Sequence, residues 1–179
     1  METPFIKFVK DNLGKDLVGL EVGARGGTNA VYLLDNLGIK KLYLVDNWKE
    51  YRDGDGGGTY FTQEVQDAEY SVCLKNVSEY GTKVEVLRES SEDAIRRFPD
   101  NFFDFIYIDG NHKYEFVKMD MAWHKKLKKG GILGGHDYDP YCLDVIQAVN
   151  ELVKENDYKL NILATRQGDN NGVEWAIIK

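Results

Sequence analysis

The chain has 179 residues, of which 42% are hydrophobic and 30% are charged, and its formal net charge is −7. This length fits a single domain over residues 1–179 with a core of its own, and the composition is that of a globular protein. The acidic balance argues against a protein that mainly grips nucleic acid, because such binding depends on clustered Lys and Arg. No apolar run is long enough to span a membrane.

The segment of residues 1–10 lacks the apolar block and cleavage site of a signal peptide. Cys73 and Cys142 lie far apart and form no zinc-binding spacing, so reduced thiols buried in helical segments are expected. Together these features predict a cytoplasmic protein. A basic cluster in residues 125–129 is predicted to end a helix, where cations complement the helix dipole.

Strand and helix patterns alternate along the chain. Thr3 and Pro4 predict the start of a first helix. The predicted strands are Asp16–Glu21, Lys41–Asp46, Lys83–Arg88, Phe103–Asp109, Ile132–His136, Tyr158–Ala164 and Val173–Ile178. The helices predicted between them run from a Thr28 cap to Leu37, from Gln63 to Tyr80, from Glu92 to Phe98, from Tyr114 to Lys128 and from Leu143 to Asn156.

This alternation predicts a parallel sheet with helices on both faces. The last two strands are separated only by the turn-rich residues 168–172, which leave no room for a crossover helix, so these strands must pair antiparallel. We therefore expect a three-layer, Rossmann-like, doubly wound α/β sheet of seven strands in the order 3-2-1-4-5-7-6, with strand 7 antiparallel. The antiparallel strand distinguishes this pattern from an NAD-binding Rossmann domain.

A glycine-rich turn, Glu21-Val-Gly-Ala-Arg-Gly-Gly27, joins the first strand to a helix. Such a turn lets backbone approach a ligand, although a plain structural turn would look the same. Asp46 ends the second strand about 20 residues further on, where a carboxylate can accept the ribose hydroxyls of a nucleoside. Ser90 and Ser91 would lie on the adenine side, unless they only cap a helix. These residues would serve NAD equally well.

Polar side chains follow the fourth and fifth strands, at Asp109, His112, His136 and Asp137. Neighbouring parallel strands end at the same edge of a sheet, so these groups are expected to share one crevice. Mixed imidazole and carboxylate ligands suit Mg²⁺, Mn²⁺, Fe²⁺ or Zn²⁺, and the oxygen donors favour the first two. Loop polar groups satisfied by one another are the alternative.

The whole pattern resembles the class I S-adenosylmethionine-dependent methyltransferases. The residues that carry the resemblance are Glu21, Gly23, Gly27, Asp46, the stretch Tyr107-Ile-Asp109-Gly-x-His112-x-Tyr114-Glu115, Asp120, Trp123, Leu127, Gly130-Gly131 and Gly135-His136-Asp137-Tyr138. The "IDGxHxYE" and "HDY" stretches are similar to those of metal-dependent sugar and natural-product O-methyltransferases. This branch methylates hydroxyl groups, so the resemblance implies a small-molecule or glycan acceptor.

The resemblance also implies residue roles. The cofactor would contact Glu21, Gly23, Ala24, Gly27, Asp46, Asn47, Glu89, Ser90, Ser91 and Asp109. A metal ion, Mg²⁺ or Mn²⁺, would bind Asp109, His136 and Asp137, and the catalytic groups would be Asp109, His112 and His136. Related enzymes carry a carboxylate pair at positions 136 and 137, which leaves open whether His136 binds metal, acts as the base or orients Asp137.

Two other classes fit part of the pattern. An NAD(P)-dependent oxidoreductase would share the glycine turn and Asp46, but the turn lacks the GxGxxG spacing. A non-catalytic S-adenosylmethionine-binding domain would keep the cofactor residues without the crevice. The glycine- and aromatic-rich residues 48–62 suggest a lid over the acceptor, or else a surface excursion. A homo-oligomer in which a second copy covers the pocket is also compatible with so compact a chain.

Overall fold

The computed structural model describes residues 2–52, 60–163 and 172–179. The strands of its main sheet are β1 (Leu17–Val22), β2 (Ile39–Asp46), β3 (Val84–Arg88), β4 (Phe103–Ile108), β5 (Leu127–Gly135), β6 (Leu160–Leu163) and β7 (Glu174–Ile178). The helices are α1 (Pro4–Asn12), α2 (Thr28–Asn36), α3 (Gln63–Val77), α4 (Ser91–Ala94), α5 (Tyr114–Asp120) and α6 (Leu143–Asn156). None of the helices in these ranges is long and apolar enough to cross a membrane.

The seven strands form one sheet in the order β3-β2-β1-β4-β5-β7-β6. Strands β1 to β5 pair in parallel, whereas β7 runs antiparallel to both β5 and β6. The predicted fold and strand order are confirmed. A separate antiparallel hairpin pairs Tyr51–Arg52 with Tyr60–Phe61. Of the segment expected to form a lid, residues 53–59 lie outside the described residues. Residues 164–171, which include most of the predicted turn over residues 168–172, lie outside them as well.

The core lies on both faces of the sheet because successive residues of a strand point to opposite sides. In β4, Ile106 belongs to the cluster under α4, α5 and α6, whereas its neighbours Phe105 and Tyr107 belong to the cluster under α1, α2 and α3. Fully buried tryptophans lie in both layers, Trp123 and Trp175 on the first face and Trp48 on the second. Because the sheet is buried on both faces, its carboxyl edge is a rigid support for a functional site.

A buried carboxylate ties α1 to the last strand. Glu174 is 4% exposed, and its Oε2 accepts the backbone N–H of Phe5 at 2.7 Å. Its Oε1 accepts the hydroxyl of Tyr107 in β4 at 2.9 Å. Thr3 caps the helix as predicted, with its hydroxyl accepting the N–H of Ile6 at 3.3 Å. The first helix is therefore held by the central and final strands.

The predicted helix from Tyr114 to Lys128 is wrong at its end. Helix α5 stops at Asp120, a 3₁₀ helix follows over Met121–Lys126, and β5 already begins at Leu127. The strand is continuous past Gly130, which has φ +80, because β4 and β5 pair with a register shift that absorbs the extra residues. The basic cluster of residues 125–129 therefore ends a 3₁₀ turn and opens a strand.

Other boundaries moved by a few residues. Gly27, not Thr28, caps α2, because its φ of +76 turns the chain into the helix. The predicted helix to Tyr80 ends at Val77 and continues as a 3₁₀ helix, and the one predicted around residues 92–98 is α4 followed by a 3₁₀ turn over Ile95–Arg97. Helix α6 covers the predicted residues Leu143–Asn156.

Candidate active site

A cavity of about 460 Å³ opens at the carboxyl ends of β1, β2 and β4. Its wall contains six of the residues predicted to bind cofactor, namely Gly23, Asp46, Asn47, Ser90, Ser91 and Asp109. Four other predicted residues are not part of the wall: Glu21 and Ala24, which are buried, Gly27, and Glu89, which pairs with Arg97. The glycine turn and the ends of the central strands thus face one space, as the sequence predicts.

The glycine turn is shaped by its contact with the end of β4. Gly23 has φ +88, and a Cβ at this position would lie 2.0 Å from the backbone oxygen of Asp109. Gly27 also has a positive φ, and a Cβ there would lie 3.1 Å from Cys73 Sγ in α3. At position 23 only glycine tolerates both the positive φ and the close approach to the backbone of Asp109. The turn can therefore pack directly against the end of β4.

Glu21 is a buried acid beside this turn. It is 1% exposed, and burial raises its pKa to about 8. Asn29 Nδ2 donates to Oε1 at 3.0 Å, whereas Oε2 is buried with no hydrogen-bond partner in the part of the chain that the structure describes. An unsatisfied buried carboxyl oxygen is costly unless a donor reaches it. The ammonium group of an amino-acid moiety is such a donor, and the site therefore fits the methionine part of S-adenosylmethionine.

Asp46 lies at the end of β2, at the position predicted for ribose. Its carboxylate accepts the backbone N–H groups of Arg25 at 3.0 Å and Trp48 at 2.8 Å. Burial raises the pKa of Asp46, and the backbone donors oppose that rise. These bonds fix the carboxylate in the cavity wall, where each oxygen has a second lone pair for a ligand hydroxyl.

Asp120 is a second buried acid at the cavity, with no role assigned from sequence. It is 4% exposed, burial raises its pKa to about 7, and its Oδ1 has no hydrogen-bond partner among the described residues. Ser91 hydrogen-bonds to this carboxyl and accepts the indole N–H of Trp123 at 2.8 Å. Asp120 ends α5 between the buried residues Val117 and Met121, and an acid among buried apolar positions is a signal that could have identified it.

The crevice between β4 and β5 gathers the second group of predicted residues. Ile108 pairs with Gly135, so the residues after them leave the sheet side by side. One ligand atom each of Asp109, His136 and Asp137 lies within 4.8 Å of the others. Asp109 also lines the cofactor cavity, and His112 Nε2 lies 3.8 Å from its Oδ1. All the predicted catalytic and metal-binding residues are therefore brought together.

Asp137 is the centre of this group. It has φ +58, a left-handed conformation that Asp tolerates better than most residues. Its Oδ1 lies 3.1 Å from His136 Nδ1, and its Oδ2 lies 2.9 Å from His112 Nε2. Burial opposes ionisation, but the two imidazoles hold the pKa of Asp137 well below its ordinary value. Asp109 and Asp137 in turn raise the pKa of His112 to about 10.

The sheet order with antiparallel β7, the glycine turn and the acidic end of β2 define the class of S-adenosylmethionine-dependent methyltransferases with a Rossmann-like fold. Residues 20–138 match a family described as a methyltransferase domain. The chain belongs to this family and is a class I methyltransferase domain. This membership decides against the dinucleotide-dependent oxidoreductase.

Three other proteins are similar to this chain, one in sequence and two in fold. The uncharacterized protein R132 of Acanthamoeba polyphaga mimivirus is 26% identical over 161 residues, which cover 83% of this chain and 67% of that protein. A methyltransferase-fold structure of Streptococcus mutans SMU.1697c in complex with SAH has a TM-score of 0.69 at 15% identity, covering 98% of this chain and 95% of that one. Spermidine synthase from Thermotoga maritima has a TM-score of 0.61 at 16% identity and 92% coverage. This chain spans only 53% of the synthase.

Proposed function

We propose that the chain transfers the methyl group of S-adenosylmethionine to a hydroxyl group of a sugar, a glycan or another small molecule, assisted by a divalent cation. One observation carries this proposal. Asp109 lines the cofactor cavity and is also one of three residues, with His136 and Asp137, whose ligand atoms lie within 4.8 Å of one another. A methyl donor and a cation-bound acceptor would therefore meet at a shared residue.

The cofactor residues would hold the donor in one orientation. Glu21 would accept the ammonium group on its unpartnered Oε2, and Asp46 would accept the ribose hydroxyls. The wall around Ser90 and Ser91 would enclose the adenine. Methyl transfer from a sulfonium is an in-line displacement in which the acceptor oxygen attacks the methyl carbon and the thioether leaves. Rigid placement of the donor beside the crevice is the main contribution of these residues.

The crevice residues would place and deprotonate the acceptor. A bound divalent cation would lower the pKa of a coordinated hydroxyl group. The two carboxylates of Asp109 and Asp137 together with His136 provide the oxygen and nitrogen ligands that Mg²⁺ or Mn²⁺ accepts. The hydroxyl proton would pass to Asp109, His112 or His136. An imidazole acts as a base only when neutral, so His112, with its pKa near 10, fits that role only once a cation has taken over its carboxylate partners.

Two features favour a small acceptor over a nucleic acid. The segment after β4 reads Asp109-Gly-Asn-His112, not the Asn/Asp-Pro-Pro-aromatic loop of adenine and cytosine N-methylases. The formal charge of −7 also disfavours binding to a phosphate backbone. The second candidate function is that of a non-catalytic cofactor-binding domain. The group of ionisable residues at the crevice favours methyl transfer over this candidate.

The test is a methyl-transfer assay with isotopically labelled S-adenosylmethionine and a panel of sugars, glycans and phenols. We expect labelled product in the presence of Mg²⁺ or Mn²⁺ and its loss on addition of EDTA. Asp137→Ala should lower turnover by about a thousandfold or more, because the central ligand is removed, and should leave cofactor affinity within about threefold.

Cofactor affinity is measured by calorimetric titration with S-adenosylhomocysteine. The matched control is Asp139→Ala, two residues away and outside the ligand group, which should keep near wild-type turnover. Transfer that persists in EDTA would contradict the role of the cation. Equal loss of turnover and cofactor affinity in Asp137→Ala would contradict the division between cavity and crevice.

A further inference from the structure

A second group of donor atoms shares Asp137 with the crevice. Single ligand atoms of His112, Asp137 and Cys142 all lie within 4.8 Å of one another, and all three residues are half-buried. Cys142 is the N-cap residue of α6, five positions after Asp137 along the chain. The loop between them therefore folds back and brings a thiol to the carboxylate.

The imidazole in this group faces the shared carboxylate. His112 Nε2 is buried and makes no hydrogen bond of good geometry in the described part of the chain, although Asp137 Oδ2 is only 2.9 Å away. The ring nitrogen is thus held by charge attraction without a well-aligned hydrogen bond, and it can exchange its proton for a cation beside the same carboxylate. The other oxygen of Asp137 faces His136 at 3.1 Å, so the carboxylate can serve both donor groups.

The chemistry of these three donors differs from that of the oxygen-rich group. Thiolate and imidazole ligands select Zn²⁺ and similar transition-metal ions, whereas Mg²⁺ prefers oxygen. We infer that His112, Asp137 and Cys142 form a binding site for a thiophilic divalent cation of the Zn²⁺ type. The inference rests on the proposed function only in sharing Asp137 and does not require methyl transfer.

Binding at this site balances both charge and protons. The Cys142 thiol and the protonated His112 ring each release one proton to solvent as Sγ and the ring nitrogen bind the cation. A thiolate, a carboxylate and a neutral imidazole then surround a doubly charged ion. The complete group has no net charge, which suits a half-buried position. Because Asp137 belongs to both groups, such an ion competes with Mg²⁺ for the carboxylate.

The test is titration of the full, chelator-stripped chain with Co²⁺, a spectroscopic substitute for Zn²⁺. A thiolate bound to Co²⁺ gives a charge-transfer absorption in the near ultraviolet, and the wild-type chain is expected to show it. Cys142→Ser should abolish this absorption and weaken Zn²⁺ binding, measured by calorimetry, by about tenfold or more. The variant is expected to fold, because Ser is a favourable N-cap residue for α6.

Cys73→Ser is the matched control, since Cys73 is the other cysteine of the chain and is fully buried in α3. It should retain the absorption. No absorption in the wild type at saturating Co²⁺, or an undiminished one in Cys142→Ser, would overturn the inference. Binding of S-adenosylhomocysteine to Cys142→Ser checks that the variant is folded. Neither readout depends on methyl transfer, so failure here and failure of the proposed function remain distinguishable.

Discussion

Among single residues, Glu21 shows most directly how a side chain can cost stability and serve binding. Its pKa is raised from 4.5 to about 8, chiefly by burial. A carboxyl with a raised pKa makes the folded state less stable as pH rises from about 4.5 to 8, since only the unfolded state ionises freely in that range. The cost is removed if a cationic donor binds to the carboxylate.

We therefore expect Glu21→Gln to stabilise the ligand-free chain by about 1–3 kcal/mol at pH 7 and to weaken S-adenosylhomocysteine binding by about tenfold or more. Urea unfolding between pH 5 and 8 and calorimetric titration measure the two effects. Glu85→Gln, which alters a surface acid paired with Lys41 at 3.2 Å, should change stability by less than about 0.5 kcal/mol. A destabilised Glu21→Gln with normal cofactor affinity would refute this assignment.

The crevice residues were predictable to different degrees. Asp109 and Asp137 follow neighbouring parallel strands, and sheet topology alone brings such positions together. The spacing of Asp120 from Val117 indicates a buried face of α5, but periodicity alone does not reveal that this face adjoins a cavity. The approach of Cys142 to His112 depends on the course of the loop before α6, which no period in the sequence encodes.

At the scale of elements, the packing of β1 against β4 depends on a single glycine in β1. Gly19 pairs with Phe105, and a Cβ on Gly19 would lie 2.1 Å from the tip of that ring. Phe105 is fully buried and cannot move without displacing its neighbours. The close approach of these strands therefore requires glycine at this position.

Gly19→Ala is expected to destabilise the chain by about 1–3 kcal/mol through overpacking, measured by urea unfolding. Gly14→Ala is the control, because nothing lies within 4 Å of a Cβ at Gly14. The double variant Gly19→Ala/Phe105→Leu should lose less stability than the sum of its two single changes. Additive losses would show that the ring does not occupy the space left by Gly19.

The element boundaries show where periodicity stops being informative. Helix α6 was predicted over its full length because its apolar stripe is regular and it lies between clear breaks. The end of α5 was misplaced because Lys125 and Lys126 look like a helical last turn, and the irregular pairing of β5 with β4 is a tertiary property. Residues near a register shift are thus the hardest to place from sequence.

At the scale of the whole molecule, ligand binding should raise the unfolding temperature. A ligand that binds only the folded state at about 100 times its Kd adds about 2.7 kcal/mol of stability. For a domain of this size we expect S-adenosylhomocysteine to raise the Tm by about 5–10 °C in differential scanning calorimetry. NAD at the same concentration should have no effect, and a larger shift with NAD would contradict the cofactor assignment.

The bond between Phe5 and Glu174 joins residues 169 positions apart, and this separation bears on how the chain reaches its native state. During synthesis, α1 leaves the ribosome long before β7 exists, so its docking partner is missing until almost the entire chain has been made. The parallel strands can already pack together in the meantime, while the surface that α1 covers in the native fold is still exposed. Helix α1 should therefore be among the last elements to dock, and a nascent chain halted before residue 174 should leave α1 accessible to proteases.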